Sequence, residues 1–392
     1  MRNAFHTEEL KDFPKSATDS VDTPCFIVNE DLLERNMKIL ETVKKESGVK
    51  ILLALKGFAM YSTFPLIRRY LDGISASGPM EARLGYEEFG KEVDTAAPAY
   101  SSDDMAEVIK YSDKIIFNSI SQFKKYKGVI LKNKKRIEIG LRLNPGRSEV
   151  KKDLYNTTLP FSRLGITQKA LKGGNIESVN GLHFHALCEQ NADALVHVLK
   201  SFERLYGSYI PKMKWVNFGG GHHITRPGYN LKLLIDTIKG FKKRYKVQVY
   251  LEPGEAVALN SGVLVATVLD IVNNGMDIAI LDTSAEAHMP DVLAGPYRPE
   301  IIGAGKPGKQ RYTYRLGGLT CLAGDVIGDY SFPKPLKPGD RIVFLDMAHY
   351  SMVKTTTFNG IRHPGIALYN RRMKKPKIIK RFGYETYKER LS

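Results

Sequence analysis

The feature that most constrains this chain is a rhythm of eight short apolar runs, each bounded by turn residues and separated from the next by a longer amphipathic stretch. The runs fall at 51–55, 73–76, 93–97, 114–117, 137–143, 181–185, 214–218 and 247–252. Short runs that are apolar throughout read as buried strands, and their alternation with helical stretches is the pattern of βα units around a parallel sheet. Eight consecutive units in ~250 residues match a TIM (β/α)8 barrel, whereas a doubly wound sheet has no reason to stop at eight. The barrel is therefore predicted over 29–260. Just ahead of it, Thr23-Pro24-Cys25-Phe26-Ile27-Val28 is strand-like, and Asn29 is placed to cap a helix that puts Leu33, Met37 and Leu40 on one face.

After Leu259 the texture changes. Residues 263–272 and 342–345 are rich in β-branched and aliphatic side chains, and Lys306-Pro307-Gly308 and Lys337-Pro338-Gly339-Asp340 mark turns. Residues 1–28 and 261–392 are thus predicted to form a second, mostly antiparallel β domain, consistent with 392 residues that are 43% apolar.

Composition narrows the function classes. No run is long and apolar enough to cross a bilayer, and residues 1–20 lack a signal peptide's apolar region, so no membrane partner is expected. The three cysteines Cys25, Cys188 and Cys321 lie far apart without Cys-x-x-Cys spacing, which points to a reducing, cytoplasmic compartment and to no metal site. The net charge of +17 and the basic runs 132–136 and 371–381 raise nucleic-acid binding. Neither run sits in a nucleic-acid-binding motif, so they read as solvated faces and no nucleic-acid partner is expected.

In a TIM barrel the chemistry lies at the C-terminal ends of the strands. The first run ends in Lys56, followed at once by Gly57. Alone, this lysine reads as one reaching solvent; the sharper reading is an amine that forms a Schiff base with a carbonyl compound. The fifth run leads into Arg142-Leu143-Asn144-Pro145. The sixth carries His183 and His185 on one face, the seventh ends in Gly219-Gly220-Gly221, and the eighth ends in Glu252-Pro253-Gly254-Glu255. Three glycines leave backbone N–H groups unobstructed, and after strands seven and eight such a turn is placed to cradle a phosphate. A Schiff-base lysine, a phosphate cradle, a flat histidine and an inward carboxylate together describe a site for pyridoxal 5'-phosphate. There Lys56 holds the aldehyde carbon, His185 stacks on the ring, and Glu252 keeps the ring nitrogen protonated.

In matching order over nearly the whole chain, the motifs resemble those of the fold-type III pyridoxal phosphate enzymes, which include alanine racemase, ornithine decarboxylase and diaminopimelate decarboxylase. The resemblance rests on Ala54-Leu55-Lys56, His185-Ala186-Leu187-Cys188, the glycines 219–221, Glu252-Pro253-Gly254, the stretch from Gly318 through Cys321 to Asp325, and Tyr350 ahead of Phe358-Asn359-Gly360. It implies a homodimer with shared active sites and Tyr350 on the phosphate. Cys321 is implied as the acid that returns a proton to the α-carbon, with Asp325 near it and near the substrate's distal amine. The racemases present an arginine to the ring nitrogen and the decarboxylases a glutamate, so Glu252 implies decarboxylation.

Diaminopimelate enzymes continue Glu-Pro-Gly with arginine, and here Glu255 stands instead. An anion in place of a cation favours a substrate carrying ammonium groups. The Glu-Pro-Gly-Glu run, with Leu281-Asp282-Thr283-Ser284 and His288-Met289-Pro290-Asp291, is similar to the carboxynorspermidine decarboxylases. The implied reaction is release of CO2 from carboxynorspermidine or carboxyspermidine; the alternative is a diaminopimelate or other basic amino-acid decarboxylase on the same fold. Glu255, Asp282, Glu286, Asp291 and Asp325 are the expected contacts of the polyamine.

Overall fold

The structure, a computed structural model, describes residues 8–11, 13–172, 174 and 176–392. The chain divides into two compact units, Asn36–Val257 and the described parts of Met1–Arg35 with Ala258–Ser392. The first unit contains a closed barrel of eight strands: β1 (Lys50–Ala54), β2 (Gly73–Ala76), β3 (Glu92–Ala97), β4 (Lys114–Phe117), β5 (Glu138–Arg142), β6 (Gly181–His183), β7 (Trp215–Asn217) and β8 (Gln248–Leu251). Every pairing is parallel, and closure sets β1 on β8 with Lys50 opposite Tyr250 and Ile51 opposite Leu251. The eight apolar runs are these eight strands. Ahead of them, Asn29 Oδ1 accepts the N–H groups of Asp31 at 2.9 Å and Leu32 at 3.3 Å, which caps a helix over Glu30–Ser47. Leu33, Met37 and Leu40 on that helix are fully buried.

The barrel interior is a packed core. Trp215 of β7 clusters with Leu52, Ile116 and Tyr250, and room for its indole comes from glycines on the two preceding strands. A Cβ on Gly181 would stand 2.0 Å from the indole, and one on Gly140 2.5 Å from it. Both contacts are far inside van der Waals distance and the ring cannot withdraw. Gly181→Ala is therefore expected to lower unfolding free energy by about 3 kcal/mol, read as a fall in the denaturation midpoint; a variant as stable as the parent would show that the indole has another place to go. Beneath this layer the Lys114 ammonium lies 4.2 Å from the Tyr250 ring centroid, bonds to Glu92, and stands 3.1 Å from an oxygen of Asp94, which is wholly buried. A charge so deep persists because its partners replace the water it lost.

The strands stop earlier than the apolar runs suggest. β1 ends at Ala54, so Lys56 sits on the turn beyond it; β6 ends at His183, with His185 beyond; Glu252 follows the last residue of β8. Irregular backbone bonds still hold these turns to the barrel, with Leu55 N–H donating to Ser75 O and Ala54 N–H to Pro253 O, each at 3.1 Å.

The second unit is built on one eight-stranded sheet. Its path runs Val326–Phe332, Tyr312–Gly317, Asp277–Leu281, Gly262–Asn273, Cys25–Asn29, Gly365–Tyr369 and Lys377–Lys380, with Arg341–Leu345 also on Gly262–Asn273. Five of the seven pairings are antiparallel, so the sheet is mostly antiparallel as expected. Both faces are covered. Cys25, Ile27, Val263 and Val265 pack with Leu10 and Phe13 on one side, while Phe26, Leu264, Ala266 and Val268 pack with Tyr330 and Phe344 on the other. That is why 263–266 is apolar without interruption. Among the described residues no helix is long and apolar enough to cross a membrane.

Candidate active site

The C-terminal ends of β5 and β6 and the turns after β1, β6 and β8 bring Lys56, Arg142, His183, His185 and Glu252 close enough to act on one another's charge. Lys56 stays accessible to solvent, yet the barrel wall around it withdraws much of its solvation. That desolvation is the largest influence on the amine and lowers its pKa; Glu252 opposes the shift and Arg142 reinforces it. The Arg142 guanidinium is itself pushed down to about 10 by burial.

His185 accepts the Gly220 N–H on Nδ1 at 2.9 Å, which puts the ring proton on Nε2. Burial, with Lys56 and Arg142 nearby, holds its pKa well below the ordinary value, so the ring is neutral, as that hydrogen bond requires. Glu252 is 6% exposed, and its oxygens meet Asn217 Nδ2 at 2.8 Å and His183 Nε2 at 3.2 Å. Burial alone raises a carboxyl pKa, but His183, Lys56 and Asn217 outweigh it and hold Glu252 at about 2. The lowered pKa of buried His183 means that at neutral pH it acts as a hydrogen-bond donor rather than a cation. Its Nδ1 has no hydrogen-bond partner.

The glycine turn differs from a bare cradle. The Gly219 N–H donates to Asn217 Oδ1 at 2.8 Å and the Gly220 N–H to His185, so two of the three amides are already engaged. The glycines answer to close packing as well: a Cβ would lie 2.4 Å from Phe184 O at 219, 2.4 Å from Glu252 O at 220 and 2.0 Å from Leu187 O at 221. Gly219 and Gly221 also hold φ of +68° and +81°. Cys188 is half-buried and close enough to act on the Lys56 charge. Glu255 is half-buried, with Oε1 3.6 Å from Nε2 of buried His223.

Cys321, Tyr350, Asp282, Asp291 and Asp325 belong to the other unit. There Asp325 is a brace. Its Oδ2 accepts from Ser284 Oγ, Thr320 Oγ1 and Thr320 N–H, and its Oδ1 from the N–H groups of Ala285 and Glu286. A carboxylate has about four lone-pair sites, so this one has no capacity left for a substrate amine. Asp325 and the Asn359 side chain, which accepts the Cys321 N–H at 2.8 Å, shape the exposed turn that carries Cys321. Asp282 is held by Thr23 Oγ1 at 2.5 Å and Thr267 N–H at 2.7 Å, and Asp291 pairs with Lys354 Nζ at 2.7 Å. Those three acids, expected on a polyamine, are occupied within their own unit. Glu286 differs: its Oε2 is buried without a partner, and its pKa is raised by burial and by Asp325. Tyr350 is half-buried, with Lys354 Nζ 5.3 Å from its ring centroid.

Asn217 and the pairing of His183 with Glu252 went unread in the sequence. The signal existed, since Asn217 lies two residues after the interior Trp215 and so shares its face.

An accessible amine with a lowered pKa, a neutral ring fixed by the backbone and an ionised buried carboxylate form the donor set that pyridoxal phosphate requires. Comparison with known proteins agrees. The family described as pyridoxal-dependent decarboxylase, C-terminal sheet domain, matches residues 25–348. A carboxynorspermidine/carboxyspermidine decarboxylase from Campylobacter jejuni is 46% identical over 380 residues, covering 94% of this chain and 98% of that protein. A carboxyaminopropylagmatine decarboxylase from Synechocystis is 45% identical, covering 95% and 96%. The crystal structure of the Campylobacter jejuni carboxynorspermidine decarboxylase in complex with norspermidine superposes with a TM-score of 0.87 at 45% identity, covering 94% of this chain and all of that one. This chain belongs to the pyridoxal-dependent decarboxylases.

Proposed function

We propose that the protein removes CO2 from carboxynorspermidine or carboxyspermidine, yielding norspermidine or spermidine. The observation that carries this reading is Glu255, a half-buried acid three residues after Glu252 on the C-terminal side of β8. An anion there suits a substrate whose remaining groups are ammonium and rejects one ending in a carboxylate. Similarity over nearly the full chain to enzymes of that activity supports it. Glu286, with its unpartnered oxygen, is the second acid proposed for the polyamine.

In this reading Lys56 anchors the cofactor and yields it to the substrate's α-amine; its lowered pKa enlarges the neutral, nucleophilic fraction of the amine. His185 packs its neutral ring on the cofactor and Glu252 holds the ring-nitrogen proton. The Gly221 N–H and Tyr350 take the phosphate, and Cys188 lines the cofactor site. When bound, pyridoxal phosphate supplies the sink for the electron pair left when CO2 departs. The Cys321 thiol then gives its proton to the α-carbon, and we place this thiol in the active site of a second copy of the chain. None of the three cysteines is in a disulfide, which fits the cytoplasm.

Both parts are testable. Mixing Lys56→Ala and Cys321→Ala proteins, each inactive alone, is expected to restore about a quarter of wild-type activity, because half the dimers are mixed and each mixed dimer has one intact site. No recovery after verified subunit exchange would refute sharing. A substrate panel is expected to give kcat/KM about a hundredfold or more higher for the carboxylated triamines than for diaminopimelate or ornithine; diaminopimelate as the best substrate would sink the assignment. A second reading, carboxyaminopropylagmatine as substrate, is favoured by 45% identity to an enzyme of that name. Its inclusion in the panel decides between the two.

A further inference from the structure

Glu252 is fixed by two neighbours whose positions follow from strand register. His183 closes β6 and Asn217 closes β7, and the two are Cα partners in the ladder; Asn217 is in turn paired with Tyr250 of β8, two residues before Glu252. Three adjacent strands thus deliver the imidazole, the amide and the acid to one spot in the barrel mouth.

We propose that His183 and Asn217 are positioning residues that keep Glu252 ionised and in place, and that Asn217 couples this acid to the glycine turn. The proposal rests on the reading of Glu252 as the partner of the cofactor's ring nitrogen. Asn217 is wholly buried and both ends of its amide are committed. Oδ1 accepts the Gly219 N–H, and this contact orients the amide so that Nδ2 faces Glu252 Oε1, each at 2.8 Å. Flipping the amide would set oxygen against carboxylate and N–H against N–H, so the orientation has no alternative. His183 completes the arrangement on Oε2. Because Glu252 only accepts, the imidazole proton sits on Nε2, which leaves Nδ1 without a partner in a buried site. A neutral donor stabilises the carboxylate without cancelling its charge, which a cationic partner in the same place would do.

Asparagine is required at 217 by chemistry as well as by size. Aspartate, its near isostere, would still accept from Gly219 but would oppose Glu252 with a second acceptor. The remaining charged and titratable groups acting on Glu252 or on its partners are Lys56, Arg142, His185, His222 and Asp94. Of these, Lys56 and Arg142 favour its ionised form and Asp94 opposes it.

The test compares Asn217→Asp, His183→Leu, His183→Gln and Glu252→Gln as cofactor-loaded enzymes. It reads the pH midpoint of the bound cofactor's absorbance, the dissociation constant of pyridoxal phosphate, and kcat and KM separately. Asn217→Asp and His183→Leu are expected to move the midpoint by about one pH unit or more and to lower kcat about tenfold to a hundredfold, with KM within about threefold of wild type. In His183→Gln the side-chain amide can donate where Nε2 did, and the midpoint is expected to stay within about half a pH unit of wild type and kcat within about threefold. If loaded Asn217→Asp keeps the parental midpoint and kcat while Glu252→Gln changes them, the positioning role is wrong and the ring-nitrogen reading survives. An unchanged midpoint in Glu252→Gln would sink the ring-nitrogen reading and this proposal together. Asn217→Asp preserves shape and decides the question if His183→Leu fails to fold.

Discussion

Lys56→Ala is expected to leave a folded protein that binds pyridoxal phosphate only reversibly and turns over substrate at least about 10⁴-fold more slowly, the scale on which loss of a covalent catalytic group is felt. Folding survives because Lys56 lies on the solvent-accessible turn beyond β1 and contributes nothing to the packed interior. Borohydride reduction followed by peptide mass analysis should find the cofactor attached at Lys56 in the parent and nowhere in the variant. A small primary amine supplied in solution is expected to recover part of the rate, since the variant lacks an amine but retains the cradle. Near-parental turnover, or a cofactor adduct on another lysine, would remove Lys56 from the role.

Glu252→Gln is expected to lower kcat by about 10²–10³-fold, the loss typical of one electrostatic partner at a reacting centre, with a smaller change in KM. It should also change the acid sensitivity of the fold. Glu252 has a folded pKa of about 2, below the ordinary 4.5. A depressed carboxyl pKa contributes stability that is fully present above the unfolded value and is lost as pH falls through the folded one. In the wild type that contribution amounts to about 2–3 kcal/mol and declines between about pH 5 and pH 2. The variant lacks it, so the stability gap between the two proteins should narrow as pH falls across that window. Denaturation midpoints at neutral and acid pH measure this, and a gap independent of pH would mean that Glu252 is not held ionised.

Much of the barrel was legible because the runs that make it are buried on both faces and short, so hydrophobicity and turn residues mark them without reference to their neighbours. The second unit was harder to read. Gly262–Asn273 stands out because its first half is apolar on both faces. Tyr312–Gly317 and Val326–Phe332 are only half-buried and exchange charge across the ladder, with Arg315 meeting Asp329 at 2.8 Å, so they carry no comparable signal. The acids show the same boundary from the other side. In sequence Asp282, Asp291, Asp325, Glu255 and Glu286 are equivalent carboxylates. Asp325 braces a turn because Ser284, Thr320 and two backbone amides converge on it, while Glu286 keeps an unsatisfied oxygen.

The sequence by itself determined which residues are candidates for the chemistry and in what order they appear: a lysine after the first strand, a histidine after the sixth, three glycines after the seventh and a glutamate after the eighth. Local periodicity and composition suffice for that, because strand ends and turns are written in neighbouring residues. Only the tertiary structure decided their electrical state. Barrel closure sets β1 against β8, and the register of β6, β7 and β8 aligns His183 and Asn217 with Glu252. Desolvation lowers the Lys56 amine, and donors from strands distant in sequence keep the Glu252 carboxyl ionised. Charge at a buried site depends on what lies across a few ångströms of space, and those neighbours are 35 and 69 residues away along the chain.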